Sequence, residues 1–209
     1  VRGKFTLHTD VEAEINAITS ALMRDFPVKV GGVVLTSKVT NEFDAFTREI
    51  RIGGHGLAGS LDGANSAIDS GNAAGFTVGS GLRALITHEF GHAIDHHIKQ
   101  NASDEIRDRW HEAKTSLRAK LGAPSPYGEK NLSEWTAERF TAERLGLSEP
   151  RLSAAFREFM GLGKLAKADD PEAEIRRIIA NLEAEIGAMT AEMRLALATE
   201  MLAAFRRAG

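Results

Sequence analysis

Apolar side chains recur at three- and four-residue intervals from Val11 through Ile15 and Ile18 to Leu22, so residues 10 to 25 are predicted to form an amphipathic helix. Thr9 and Glu12 have capping-box spacing at its start. Residues 28 to 39 (VKVGGVVLTSKV) are then rich in β-branched side chains, and residues 46 to 52 (FTREIRI) place Phe46, Ile50 and Ile52 on one face. Both read as strands, and GFTV at 75 to 78 reads as one more. From residue 81 the helical period returns and persists. Leu82, Leu85, Ile86, Phe90, Ala93 and Ile94 form a stripe along residues 81 to 99. A second helix follows Ser103, with Ile106, Trp110, Ala113, Leu117 and Leu121 in line and Gly122 as its stop. A proline-containing loop (APSPYGEKN) separates it from a helix over 131 to 145, and another helix is predicted over 148 to 160. Asp170-Pro171 opens a last section whose Ile175, Ile178, Ile179, Leu182, Ile186, Met189 and Met193 read as a packing face, with partner binding as the alternative. The pattern defines an α+β protein, with its strands in residues 1–80 and a helical half in residues 81–209.

Nine of the twenty glycines fall between Gly53 and Gly81, a composition expected of a long, loosely structured functional loop. Within it GHGLAG (54 to 59) matches G-x-G-x-x-G after a strand, the pattern of a dinucleotide-binding turn. That reading requires a helix next, and SLDGANSAIDSG is short and glycine-rich for one; no βαβ pattern surrounds it either.

A length of 209 residues with 43% apolar content suits one domain over 1–209 with one core. The net charge of −3, without a run of Lys or Arg, disfavours nucleic acid and membrane surfaces as partners. No apolar run approaches the roughly 18 residues of a membrane span, and the start VRGKFTLH lacks the apolar core of a signal peptide. A first residue of Val rather than Met reads as a processed product or a domain excised from a larger polypeptide. Cysteine is absent, so a transition metal would have to be held by His, Asp or Glu.

Four histidines, His88, His92, His96 and His97, crowd into THEFGHAIDHH (87 to 97), and His88-Glu89-Phe90-Gly91-His92 is H-E-x-x-H. On a helix, His88 and His92 lie about 40° and one turn apart, so both imidazoles reach one ion at about 2.0–2.1 Å. Glu89, rotated by about 100°, faces a water beside that ion. Zinc lowers the pKa of such a water toward about 7, and the carboxylate takes its proton. His96 lies two turns beyond His88, about 12 Å along the axis, too far to share the ion. His96 and His97 therefore read as surface residues or as supports behind the ligands. Asp95, three residues past His92, is a candidate to brace a ligand imidazole from behind.

A catalytic zinc usually takes three protein ligands. NLSEWTAERFTAERLG offers Glu134 and Glu138 on one helical face and Glu143 displaced from them. Asn131 and Glu134 also have capping-box spacing, and the chemistry of the residues leaves Glu134 and Glu138 open as the third ligand.

HEFGHAID followed by YGEKNLSEWTAERF resembles the catalytic domain of anthrax lethal factor and its relatives, among them the secreted Pro-Pro endopeptidases of clostridia. The shared pattern is HExxH, a loop Tyr, and a Glu seven residues later on a helix that continues as E-x-x-A-E-x-F; here these are Tyr127, Glu134 and the run to Phe140. The resemblance implies that Glu134 is the third zinc ligand and Glu138 supports the site from behind it. It also implies that the Tyr127 hydroxyl stabilises the oxyanion of the tetrahedral intermediate. It further implies a peptide extended along an edge strand upstream of HExxH, for which FTREIRI, with Phe46, Arg48, Ile50 and Ile52, is the counterpart. Members of this group occur as secreted or delivered toxin and effector domains, phage-borne ones included. The expectation is thus a zincin-like zinc endopeptidase, with a small mixed sheet packed on the HExxH helix and a protein or peptide as substrate. The competing reading is a binding module in which zinc only clamps the fold.

Overall fold

The computed structural model describes residues 2–3, 7–37, 41–54, 57, 59–71 and 77–160. The described residues fall within one compact unit, Val1–Gly161. The apolar face expected between Ile175 and Met193 lies outside the described residues.

Alternation does in the strands what the helical period does in the helices: it buries one side. Val33 and Leu35 are buried on β2 (Gly32–Thr36), and Ile50 and Ile52 on β4 (Glu49–Gly53). β2 and β4 pair in parallel, Val33 opposite Ile50 and Leu35 opposite Ile52. β3 (Glu42–Asp44) pairs antiparallel to β4, and the two-residue β1 (Arg2–Gly3) pairs parallel to β2, giving a mixed sheet of order β1-β2-β4-β3. Its apolar side shares one core with Val11, Ile15, Ile18 and Leu22 of α1 (Thr9–Asp25) and with Phe90 and Ile94 of α3 (Gly81–Asn101).

Two expectations about FTREIRI are corrected. Phe46 and Arg48 are in a turn, not a strand, because Asp44 Oδ1 accepts from the amides of Phe46 (2.8 Å) and Thr47 (3.0 Å) and bends the chain. Arg48 completes the turn with φ +57°. Ile50 and Ile52 sit on an inner strand and are wholly committed to the core, so the edge strand beside β4 is β3.

The glycine-rich segment is also more structured than its composition suggests. Leu61–Gly71 is a helix, α2, against the sequence argument that it is too glycine-rich to be one. Tertiary bonds explain it: Asn65 Oδ1 accepts from the Leu82 amide (2.9 Å) and Asp69 Oδ1 from the Gly81 amide (2.6 Å). α2 therefore supplies caps for the exposed amides at the start of α3. After α2 the chain enters α3 rather than a second parallel strand, so no βαβ unit forms around GHGLAG among the described residues. Of the strand expected at 75 to 78, Gly75 and Phe76 lie outside the described residues, and Thr77 and Val78 form a bend.

The helical half follows the sequence more closely. α4 (Asp104–Leu121) is capped by Ser103 and stops at Gly122, whose φ of +67° favours glycine. α5 (Leu132–Arg144) is capped by Asn131 through the Glu134 amide. α6 (Arg151–Phe159) starts later than residue 148, because the Glu143 carboxylate caps it through the amides of Leu152 and Ser153, both at 2.7 Å. α1 starts with His8 at the cap rather than Thr9.

Candidate metal centre

α3 and α5 make the most extensive helix–helix contact among the described elements, and the candidate site lies on it. Gly91 explains how they come so close. A Cβ on it would sit 3.0 Å from Ala137 Cα and 3.3 Å from Phe140 Cδ1, too tight to be accommodated unless the helices shift. That approach brings Glu134 over His88 and His92.

His88 Nε2 and His92 Nε2 are 3.2 Å apart. Glu134 Oε2 is 3.2 Å from the first and 3.4 Å from the second. Two atoms each about 2.05 Å from a tetrahedral ion are about 3.3 Å apart, so this triangle has the edges of three ligands on one small ion. The outer nitrogens settle which way the imidazoles face. His88 Nδ1 lies 2.7 Å from Glu138 Oε1, an acceptor only, so it donates there. His92 Nδ1 lies 3.2 Å from Ser133 Oγ, a partner that can accept its proton. With both protons outside, two nitrogen lone pairs and a carboxylate oxygen converge. Glu134 Oε2 is buried there without a hydrogen bond of proper geometry. Buried acceptors facing one another with no donor call for a cation. His88, His92 and Glu134 could hold a metal ion, and they are the one such group among the described residues.

Without an ion, a proton fills part of that role. Burial opposes charge on His88, but the carboxylates of Glu134, Glu138 and Glu89 outweigh it and raise its pKa to about 9. Burial likewise pushes Glu134 up, yet His88 and His92 hold it down to about 2.

Glu89 is 4% exposed and lines the same cleft of about 330 Å³. Burial raises its pKa despite the adjacent imidazoles. Tyr127 lies on a 3₁₀ turn (Tyr127–Glu129) that lines the cleft, its ring centroid 5.7 Å from that of His88. Burial, then the carboxylates of Glu134, Glu89 and Glu138, raise its pKa, so its hydroxyl stays a donor at neutral pH. β3 forms one wall through Glu42 and Phe43, and Phe43 packs on His96 at 5.7 Å between ring centroids.

The expectation for Asp95 is corrected. Its carboxylate accepts from Trp110 Nε1 (2.8 Å), Lys114 Nζ (2.6 Å) and Lys99 Nζ (2.5 Å) and bonds no imidazole. From its place on α3 it faces α4, where Lys114, 1% exposed, needs a counter-charge. Ser133 takes the part expected of Asp95, and spacing along one helix could not find it because it comes from α5. Two further partners converge on Glu138 Oε2: Ser125 Oγ at 2.5 Å and the Val78 amide at 2.7 Å. The sequence gives no signal for either, since 13 and 60 residues separate them from Glu138.

Compared with protein-family models, with curated proteins and with solved structures, the chain has no significant match. No helix among the described residues is long and apolar enough to cross a membrane.

Proposed function

We propose that the chain is a zincin-like zinc-dependent endopeptidase, of the kind its HExxH, Tyr and Glu pattern resembles. The observation that carries this is the donor triangle of His88, His92 and Glu134 with an acid, Glu89, buried beside it and a phenol, Tyr127, across the same cleft. Two imidazole nitrogens and one carboxylate oxygen are a zinc donor set that leaves a fourth position open, as catalytic sites do. Zinc bound there would supply Lewis acidity, making a water acidic and polarising a carbonyl.

The chain's own groups supply the rest. Glu89, whose proton affinity burial raises, accepts a proton from the attacking water and returns it to the departing amine nitrogen. The Tyr127 hydroxyl, kept protonated, donates to the oxygen that gains negative charge. Glu138 and Ser133 fix the two imidazoles with their Nε2 lone pairs inward. The peptide backbone pairs with the outer edge of β3, which borders the cleft. A module that used zinc only as a clamp would need neither Glu89 nor Tyr127 and would usually close the fourth ligand position.

The test is Glu89→Ala, read by elemental analysis for zinc and by cleavage of a diverse peptide library. Zinc at about one ion per chain with cleavage reduced at least about 10²-fold is expected. Undiminished cleavage would remove Glu89 from the mechanism, and cleavage by neither protein with zinc present would favour the clamp.

A further inference from the structure

We propose that Ser125 is a positioning residue that couples the turn carrying Tyr127 to the metal ligand His88, through the carboxylate of Glu138; this rests on the metallopeptidase reading above. The Ser125 hydroxyl has a single proton. At 2.5 Å from Glu138 Oε2, which can only accept, that proton is directed to the carboxylate. The hydroxyl oxygen is thereby left to accept from the Gly128 amide at 3.1 Å, inside the turn Tyr127–Glu129. The other carboxylate oxygen, Glu138 Oε1, takes the proton of His88 Nδ1 at 2.7 Å.

One buried hydroxyl thus stands between the phenol-bearing turn and the imidazole that faces the metal position. The chain of contacts is Gly128 amide, Ser125, Glu138, His88, and no water need complete it. Ser125 is 8% exposed and Glu138 1%, so solvent does not offer ready substitutes. Packing ties the same pieces together independently. A Cβ on Gly128 would lie 3.3 Å from Pro124 Cδ and 3.4 Å from Glu138 Cβ, so the turn is seated directly on the carboxylate's own side chain.

Coupling follows from the geometry of the carboxylate. Three donors surround Glu138: Ser125 and the Val78 amide on Oε2, His88 on Oε1. Removing the serine donor frees the carboxylate to rotate about the remaining two, which loosens the orientation of His88. It also releases the Gly128 amide, and with it the placement of the Tyr127 ring. Groups that support a metal-ligating histidine from behind typically change metal affinity or activity by about 10–100-fold when removed.

Two measurements on the full chain test this. Zinc affinity is determined by chelator competition for the wild-type protein, Ser125→Ala and Ser125→Thr, with urea unfolding of each zinc-free protein as a control for folding. Amide hydrogen exchange at Gly128 is followed in the wild type with and without zinc, an arm that needs no variant to fold. Expected are a zinc affinity about 10–100-fold weaker in Ser125→Ala, recovery toward wild type in Ser125→Thr, and slower Gly128 exchange once zinc is bound. Zinc affinity within twofold of wild type in a folded Ser125→Ala, or Gly128 exchange indifferent to zinc, overturns the coupling and leaves the metallopeptidase reading standing. A wild-type protein that binds no zinc overturns both.

Discussion

Gly91→Ala tests whether the close approach of α3 and α5 is what sets the metal-ligand triangle. The added methyl would meet Ala137 Cα at 3.0 Å and Phe140 Cδ1 at 3.3 Å, where carbon atoms prefer about 3.5–4.0 Å. Neither contact is with the end of a flexible chain: one atom is backbone and the other belongs to Phe140, which is fully buried. α5 must therefore move outward by roughly a few tenths of an ångström to restore van der Waals distance. Glu134 lies one turn before Ala137 and Glu138 directly after it, so both carboxylates move with the helix. A well-made site tolerates ligand distances of about ±0.2 Å, and the displacement exceeds that. Zinc affinity should fall by about tenfold or more, measured by chelator competition, on the scale of lost support around a ligand. Stability should change less. Overpacking costs about 1–3 kcal/mol, while replacing a mid-helix glycine by alanine returns about 1 kcal/mol. A net loss of about 0–2 kcal/mol in urea unfolding of the zinc-free protein is expected. Wild-type zinc affinity in the folded variant would refute the reasoning, because the helix spacing would then not set the triangle.

Glu134→Ala should abolish tight zinc binding and Glu138→Ala should weaken it less, since the first removes a ligand atom and the second a brace; elemental analysis giving the reverse order would exchange their roles. Zinc and a proton compete at His88, whose pKa is raised to about 9 without metal, so zinc affinity should climb through neutral pH toward pH about 9 with release of about one proton per ion. Calorimetry in two buffers of different ionisation enthalpy reads that proton, and no buffer dependence at pH 7 would contradict it. The same shift stabilises the zinc-free fold fully below the unfolded value of about 6.5, and that contribution is lost as pH rises through about 9. Asp95→Asn should destabilise the fold by about 3–5 kcal/mol, because it leaves the buried ammonium of Lys114 without its carboxylate. A change below about 1 kcal/mol in urea unfolding would mean that Lys114 sheds its charge or finds water.

The helices other than α2, and the candidate ligands on α3, were legible because they depend on local period: Val11 to Leu22, the stripe along α3, the stop at Gly122 and the cap at Asn131 are all statements about neighbours within a few residues. His88 and His92 belong to the same class. Glu134 and Glu138 could be narrowed to a pair by spacing but ranked only through the resemblance, since which one reaches the imidazoles depends on how α5 crosses α3. The misses share a physical origin. FTREIRI has a strand's alternation, but Asp44 sequesters two amides and turns the chain before Glu49. SLDGANSAIDSG is a poor helix by composition, and it is held by bonds to the start of α3 that lie 12 and 17 residues away. Asp95 has the spacing to brace His92, yet its orientation is decided by Lys114, on another helix. Ser125, Ser133 and Val78 enter the site only through tertiary contact, which no one-dimensional pattern encodes.

If a peptide pairs with β3 as proposed, the shortness of that strand limits how much of it could be read. Three residues of strand extend about 10 Å, so main-chain pairing along Glu42–Asp44 can register only about three residues of a bound peptide. Such a short edge, with carboxylates at both ends and Arg51 gathering Glu42, Asp44 and Glu49 behind it, is a poor template for strand-by-strand stacking between molecules.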